Sequence, residues 1–171
     1  MKTIPTKINK YNVYNQGNRL LGTGDEVTLP SFEASSETVS GAGVLGEFDD
    51  PTVGYFSNME QEIPFRVLDE EAVDMLDQTK AVQLELRGAQ QTVNSEGNTE
   101  FRPMRVVVRG KSADFDPGKV KAGNGMETSV VLTITYILIE LEDKPMVELD
   151  KINEVFKIRG VDVLAKIKEM C

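Results

Sequence analysis

The stretch Ser129-Val-Val-Leu-Thr-Ile-Thr-Tyr-Ile-Leu-Ile-Glu-Leu141 decides the fold class of this protein. β-branched and aromatic residues fill most of its positions, and such residues favour strands. With strict alternation, one face holds Val130, Leu132, Ile134, Tyr136 and Leu138, and the other holds Val131, Thr133, Thr135, Ile137, Ile139 and Leu141. Because both faces are mostly apolar, we expect a long strand that is covered on both sides, by a second layer or by another subunit.

Alternating segments on either side of this stretch predict further strands. Val82, Leu84 and Leu86 alternate with polar residues, and after a turn at 94–97 the chain returns through Phe101–Arg109. Strands are also expected at Ser31–Val39 and Gly54–Phe65, which bracket a flexible loop at residues 40–54, with shorter ones within 12–28 and 146–159. Asn124-Gly125, just before the long strand, predicts a tight turn.

Two short helices are predicted beside these strands. Asp69 can cap the first helix, in which Ala72, Met75 and Leu76 form an apolar stripe. The second is expected at residues 161–170, outside the β-structure and with a polar outer face. Since the chain contains no repeat and no convincing linker, we expect residues 1–171 to form a single, mainly β domain with one or two flanking α-helices.

The composition excludes several kinds of chemistry. The chain of 171 residues has no histidine, and its single cysteine is Cys171. A histidine general base, a Ser-His-Asp triad, an internal disulfide and a zinc site of Cys and His are therefore impossible. An enzyme is therefore the least expected class of protein, since only carboxylate or Ser/Lys chemistry would remain. We predict no catalytic residues, no metal, no cofactor and no enzymatic activity.

Charge and hydropathy also limit where the protein acts. The net charge is −9, which argues against nucleic-acid binding through phosphate contacts. No apolar run reaches the roughly 18 residues of a membrane span. Residues 1–14 lack the apolar stretch of a signal peptide, so a soluble protein made in the cytoplasm is expected.

The sequence Gly41-Ala-Gly43-Val-Leu-Gly46 matches the dinucleotide motif G-x-G-x-x-G. That motif requires a buried strand before it and a helix after it. Here a polar segment precedes it, and Glu47-Phe-Asp-Asp-Pro51 follows, where the acids would repel phosphate and the proline would end a helix. A flexible glycine loop is the favoured interpretation.

Charged residues are distributed unevenly along the chain. Between Ser31 and Asp77 there are twelve acids and one base, Arg66, whereas residues 1–10 hold three lysines and no acid. The acid pairs lack the spacing of a known cation loop, so a solvated acidic face is the favoured interpretation. The basic residues Arg102, Arg105, Arg109, Lys111, Lys119 and Lys121 could bind phosphate or pair with acids of a neighbouring subunit. Segregated charge of this kind favours head-to-tail contacts between copies.

Taken together and in order, short motifs along almost the whole chain resemble the major tail tube protein of contractile-tailed bacteriophages, a family shared with R-type bacteriocin tubes. The motifs are Tyr11-Asn-Val-Tyr-Asn15, Gly17-Asn18, Val27-Thr-Leu-Pro30, Ser40–Gly46, Arg105-Val-Val-Val-Arg-Gly110, Thr135-Tyr136, Val147–Asn153 and Gly160-Val-Asp162. The ending from Val147 is the most specific part.

The resemblance implies a β-barrel or sandwich with a flanking helix, of which six copies form a ring. Stacked rings would make the inner tail tube within the contractile sheath, a conduit through the host envelope for DNA. The implied partners are further copies of the chain, the sheath protein, the tube initiator and baseplate proteins, and the tail terminator, and the implied location is the virion tail.

Under this resemblance, two sets of residues become candidate sites. Contacts between subunits or rings are predicted for the loop residues Gly41, Gly43, Gly46, Asp49 and Asp50. The channel side is predicted to carry Glu33, Glu37, Glu60 and Glu62, because an acidic lumen would not retain DNA.

Two alternatives remain at this point. One is the tube of a DNA-free contractile bacteriocin particle, which requires the same ring. The other is a monomeric β-sandwich that binds a small ligand, which predicts a pocket with aromatic walls. The low aromatic content of 6 % and the absence of Trp count against the second.

Overall fold

Antiparallel strands dominate the computed structural model, which describes residues 2–171. The elements, in chain order, are β1 (Ile4–Asn15), β2 (Asn18–Arg19), β3 (Ala34–Ser40), β4 (Glu47–Phe56), β5 (Glu60–Phe65), α1 (Glu70–Asp74), β6 (Val82–Val93), β7 (Thr99–Asp116), β8 (Thr128–Leu141), β9 (Lys144–Asp150), β10 (Val155–Ile158), β11 (Val161–Asp162) and α2 (Ala165–Met170). The predicted mainly β class with two short flanking helices is confirmed.

One large sheet curls into a small barrel. Its order is β11-β10-β9-β8-β7-β6-β1-β2, and β5 pairs with the first half of β8, where β9 is absent. Residues 20–24 close the ring between β1 and β5: the Leu20 N–H donates to the Val13 carbonyl (2.8 Å), and the Gly24 N–H donates to the Pro64 carbonyl (2.9 Å). Because the ring is closed here, the outer sides of β1 and β5 are hydrogen-bonded and do not form free sheet edges.

The interior of the barrel is apolar and lies between the long strands. Its members include Leu84, Val106, Val108, Ile63 and Leu132, all of which are fully buried. On the α1 stripe, Ala72 and Met75 join this core as predicted, whereas Leu76 stays exposed. Met75 and Leu76 both follow Asp74, the last residue of α1, and only Met75 turns into the core.

Strict alternation in β8 is wrong, because the strand contains a bulge at Thr135. Arg109 lies opposite Tyr136, but the next residue, Gly110, lies opposite Ile134. The extra residue switches the faces, so Ile134 and Ile137 both point into the core. The predicted single apolar face therefore consists of two half-faces that meet at the bulge.

Three predicted boundaries also need correction. Residues 47–54 of the predicted loop 40–54 belong to β4, so the turn is confined to residues 41–46. The predicted helix 161–170 is shorter, because Val161 and Asp162 pair with β10 and the helix begins at Ala165. The turn before β8 lies at residues 121–124, and Gly123, not Gly125, has positive φ (+80°).

Candidate assembly surfaces

Residues 34–56 form a separate two-stranded hairpin, called the arm below. Its strands, β3 and β4, pair only with each other, and almost all of their side chains are exposed. At the tip, Gly41, Gly43 and Gly46 have positive φ, which lets the chain reverse without steric strain. Leu45 lies fully exposed between two of these glycines. An unsupported hairpin with an apolar tip is suited to contact another surface.

The arm carries four acids and no base. Glu37 lies opposite Asp50, and Val39 lies opposite Phe48, so these four residues share one face. The other face carries Glu47 and Asp49, opposite Ser40 and Thr38, and the Thr38 hydroxyl donates to the Asp49 carboxylate (2.6 Å). No arm carboxylate forms a salt bridge with any residue of the described range 2–171.

Aromatic packing fixes the base of the arm to the barrel. Phe56 meets Phe32 and Phe156 edge to face, with ring centroids 5.6 and 5.2 Å apart. The Lys151 ammonium donates to the carbonyls of Phe56 (3.4 Å) and Ser57 (2.9 Å), and burial lowers the pKa of this lysine. These contacts hold the root of the arm, while its outer part projects freely.

The C-terminal helix lies beside the base of the arm. Leu164, just before α2, is half-buried and packs closely against Gly54. The Asp162 carboxylate accepts from the Leu164 N–H (3.0 Å) and from the Lys168 ammonium (3.3 Å), which fixes the start of the helix. Ile167 remains nearly half exposed and lines an open groove with Tyr55. The helix thus lies on the outside of the barrel, where it exposes the charged side chains of Lys166, Lys168 and Glu169 together with Met170.

An ionic ladder crosses the outer face of the barrel. Glu85 on β6 accepts hydrogen bonds from Arg87 (2.6 Å) and Arg105 (2.7 Å), and Arg105 also donates to Glu140 on β8 (2.7 Å). The hydrogen bond from Arg87 is the main reason that the pKa of Glu85 lies below its ordinary value. Partial burial raises this pKa, and the hydrogen bond from Arg105 lowers it further. The ladder thus binds three strands together.

This ladder was not predicted from the sequence. Its signal was present, because Glu85 and Arg87 occupy alternate positions of β6, and alternate residues share a sheet face. Two residues of the predicted basic stretch make contacts within this chain: Arg105 pairs with Glu85 and Glu140, and Arg109 stacks on the Tyr136 ring (4.7 Å). Arg105 is thus engaged by acids of its own chain, whereas Arg109 forms no salt bridge among the described residues, and its pairing with a neighbouring subunit or with phosphate stays a prediction.

The four glutamates predicted for the channel side do not lie on one sheet. Glu60 and Glu62 point outward from β5, on either side of the buried Gln61. Glu37 belongs to the arm, and Glu33 precedes it, with its carbonyl accepting from the Ser57 N–H (2.8 Å). The structure therefore brings Glu60 and Glu62 together and separates them from the other pair.

Neither a metal-binding cluster nor the geometry of a nucleotide site is found among the described residues. Within residues 2–171, no cluster of three or more His, Cys, Asp and Glu side chains could hold a metal ion. The G-x-G-x-x-G stretch forms the tip of an antiparallel hairpin, and a strand follows it where a nucleotide site needs a helix. None of the helices formed by residues 2–171 has the length and apolar character that crossing a membrane requires.

Comparison with known proteins gives the class of protein to which these surfaces belong: the chain is a structural protein of the bacteriophage tail tube. The sequence model of the family described as phage tail tube protein FII matches residues 5–170, and the chain belongs to this family. It is 27 % identical over 170 residues to the tail tube protein of Escherichia phage P2, covering 94 % of each chain. It is 25 % identical over 157 residues to the major tail tube protein of Serratia phage KSP20, covering 92 % of this chain and 90 % of the relative. The predicted resemblance to tail tube proteins is confirmed.

Proposed function

We propose that this protein assembles with itself into hexameric rings that stack into the inner tail tube of a contractile phage tail, a conduit for DNA through the host envelope. The observation that carries the proposal is the family match over residues 5–170. It is supported by a closed barrel and by a charged arm whose strands pair only with each other among the described residues and whose outer part is exposed. The proposed partners are further copies, the sheath protein, the initiator and baseplate, and the tail terminator. The protein has a structural role in the virion tail and no enzymatic one.

Electron microscopy of the purified protein, dilute and then concentrated, tests the assembly. We expect six-fold rings and hollow tubes to appear as the concentration rises. A particle that remains a monomer at every concentration, even when purified baseplate is added as a nucleus, would contradict the proposal.

The arm is proposed to make contacts between subunits or rings. Its tip, Gly41–Gly46, makes one backbone hydrogen bond within itself, from the Val44 N–H to the Gly41 carbonyl (3.2 Å), and is otherwise exposed. Deletion of residues 41–46 should leave the barrel folded, because the core contains none of them, and should abolish tubes. Normal tubes from the shortened protein would refute this role.

The outer face of β5 is proposed to line the channel, with Glu60 and Glu62 as its acids. Only this pair is retained from the predicted set, since the two residues share one face of the barrel. Carboxylates there would repel DNA phosphates and keep the passage free of tight binding. Glu33 and Glu37 belong to the region of the arm and are not included in this proposal.

Reversal of the two β5 charges tests the channel assignment. Tubes of the Glu60→Lys/Glu62→Lys variant should retain duplex DNA that wild-type tubes release, measured by co-sedimentation at low salt. The matched control is Glu154→Lys/Glu169→Lys, which makes the same charge change at two exposed acids of the C-terminal region, neither of which forms a salt bridge within the described residues. Equal retention of DNA by both variants would refute the assignment to the channel.

A further inference from the structure

We propose that the acidic face of the arm, formed by Glu37, Val39, Phe48 and Asp50, docks on a basic face of a second copy, formed by Ile4, Lys7, Lys10 and Phe101. The inference rests on the proposed function, since it assumes that copies of the chain associate.

The arm face is incomplete in the free chain. Glu37 and Asp50 lie directly opposite each other, and like charges at such positions destabilise a hairpin. The same face exposes 52 % of Phe48 beside them. A surface that combines two unpaired acids with an exposed aromatic ring fits a partner that is both basic and apolar.

A surface of this kind lies at the outer end of the barrel strands. There β1, β6 and β7 extend as a three-stranded sheet, in which Lys7 lies opposite Gln91 and Lys10 opposite Ala89. Phe101 lies opposite Gln91 from the other side, so all these residues share one face. Neither lysine forms a salt bridge with another residue of the described chain.

The composition of this face matches the arm in both respects. The two strand segments that form this face are residues 4–10 of β1 and residues 99–103 of β7. Their one acid, Glu100, lies opposite Thr92, so its carboxylate is on the other side of the sheet from the lysines. Ile4 and Phe101 are 68 % and 62 % exposed and supply the apolar contact.

Two other exposed lysines fit the arm less well. Lys119 and Lys121 lie in the loop before β8, where Asp116 and Glu127 flank them. A nearby acid of the same chain reduces the attraction that an approaching carboxylate would experience. Within residues 4–10 and 99–103, no carboxylate lies on the basic face.

Charge reversal in both directions tests the docking. One variant is Glu37→Lys/Asp50→Lys, and the other is Lys7→Glu/Lys10→Glu. Each should raise the protein concentration needed for tube formation at least about tenfold, because the reversal places like charges next to each other in the contact. An equimolar mixture should assemble near the wild-type threshold, since each reversed arm then meets a reversed face. Thermal unfolding should show both variants to be folded, because all four residues are exposed in the free chain.

A control variant on the same hairpin shows which face of the arm makes the contact. Glu47→Lys/Asp49→Lys makes the same charge change on the opposite side of the arm and should raise the threshold much less. An equal effect of the two arm variants, or failure of the mixture to assemble, would overturn the docking. If wild-type protein forms tubes and the reversed variants form them equally well, the docking is wrong while the proposed function stands. If wild-type protein never associates, the proposed function itself fails.

Discussion

Replacing Gly110 by alanine should destabilise the barrel by about 3 kcal/mol, because the bulge in β8 leaves no room for a side chain there. A Cβ at Gly110 would overlap the Thr133 carbonyl oxygen and would lie 2.8 Å from the carbonyl carbon of Thr133 and 3.1 Å from Ile134 Cα. Carbon atoms normally approach to about 3.5–4.0 Å. Since all three atoms belong to the backbone of a central strand, none can rotate away. The strain should therefore reach the upper end of the range for overpacked sites, about 1–3 kcal/mol.

Gly88→Ala is the matched control for this experiment. Gly88 is also buried in a central strand, but the one tight contact of a Cβ there would be with the flexible terminal methyl of Met104 at 3.2 Å, while Ile8 Cγ2 and the Lys10 carbonyl oxygen lie at an ordinary 3.8 Å. Both substitutions restrict the unfolded chain equally, by about 0.4–1 kcal/mol, so their difference isolates the steric overlap.

Urea unfolding followed by circular dichroism measures the effect. With a slope of about 3 kcal/mol per molar urea for a chain of this size, the midpoint for Gly110→Ala should fall about 1 M below that of Gly88→Ala. Equal midpoints for the two variants would refute the reasoning, and would mean that β8 can shift its register to make room.

Three further substitutions have expected outcomes. The pKa of Glu85 is lowered in the folded protein, chiefly by Arg87, so the stability that its charge contributes is present above the unfolded pKa of 4.5 and is lost as pH falls through the folded pKa. Glu85→Gln should therefore lower the free energy of unfolding by about 1 kcal/mol at neutral pH. In urea unfolding across the acidic range, the stability of this variant should also fall less steeply with pH than that of the wild type. Asp69→Ala should cost about 1 kcal/mol, since its carboxylate accepts the Glu70 N–H (2.7 Å) at the start of α1; Asp69→Asn, which keeps the acceptor, should lose clearly less in the same assay. Asp150→Ala should cost about 2 kcal/mol, because its nearly buried carboxylate accepts hydrogen bonds from the turn that follows β9, and a thermal shift of under a degree would contradict this.

Most strands of this protein could be predicted from local patterns. The alternation in Val82–Leu86 and the β-branched run in Ser129–Leu141 reflect the two-residue period of a strand, which needs no knowledge of the partner. Asp69 likewise marks a helix start through a contact with the next residue. The tail tube family was also predictable, because its motifs are spread in order along the whole chain.

The arm and the ionic ladder could not be predicted from local patterns. Residues 47–54 were predicted as loop, since Asp49, Asp50 and Pro51 individually disfavour strands, yet cross-strand pairing with β3 holds them extended. The ladder from Glu85 to Glu140 joins residues far apart in the chain, and only strand order makes them neighbours.

The sequence by itself determined the secondary structure class, the absence of histidine and internal disulfide chemistry, and the excess of acids between Ser31 and Asp77. These are properties of composition and of short-range periodicity. Only the tertiary structure decided which residues share a face, because the bulge at Thr135 switches the sides of β8 and the closure through residues 20–24 sets the interior of the barrel. A one-residue irregularity reverses every subsequent side chain along a strand, and whether it occurs depends on the fit against Gly110 in the neighbouring strand.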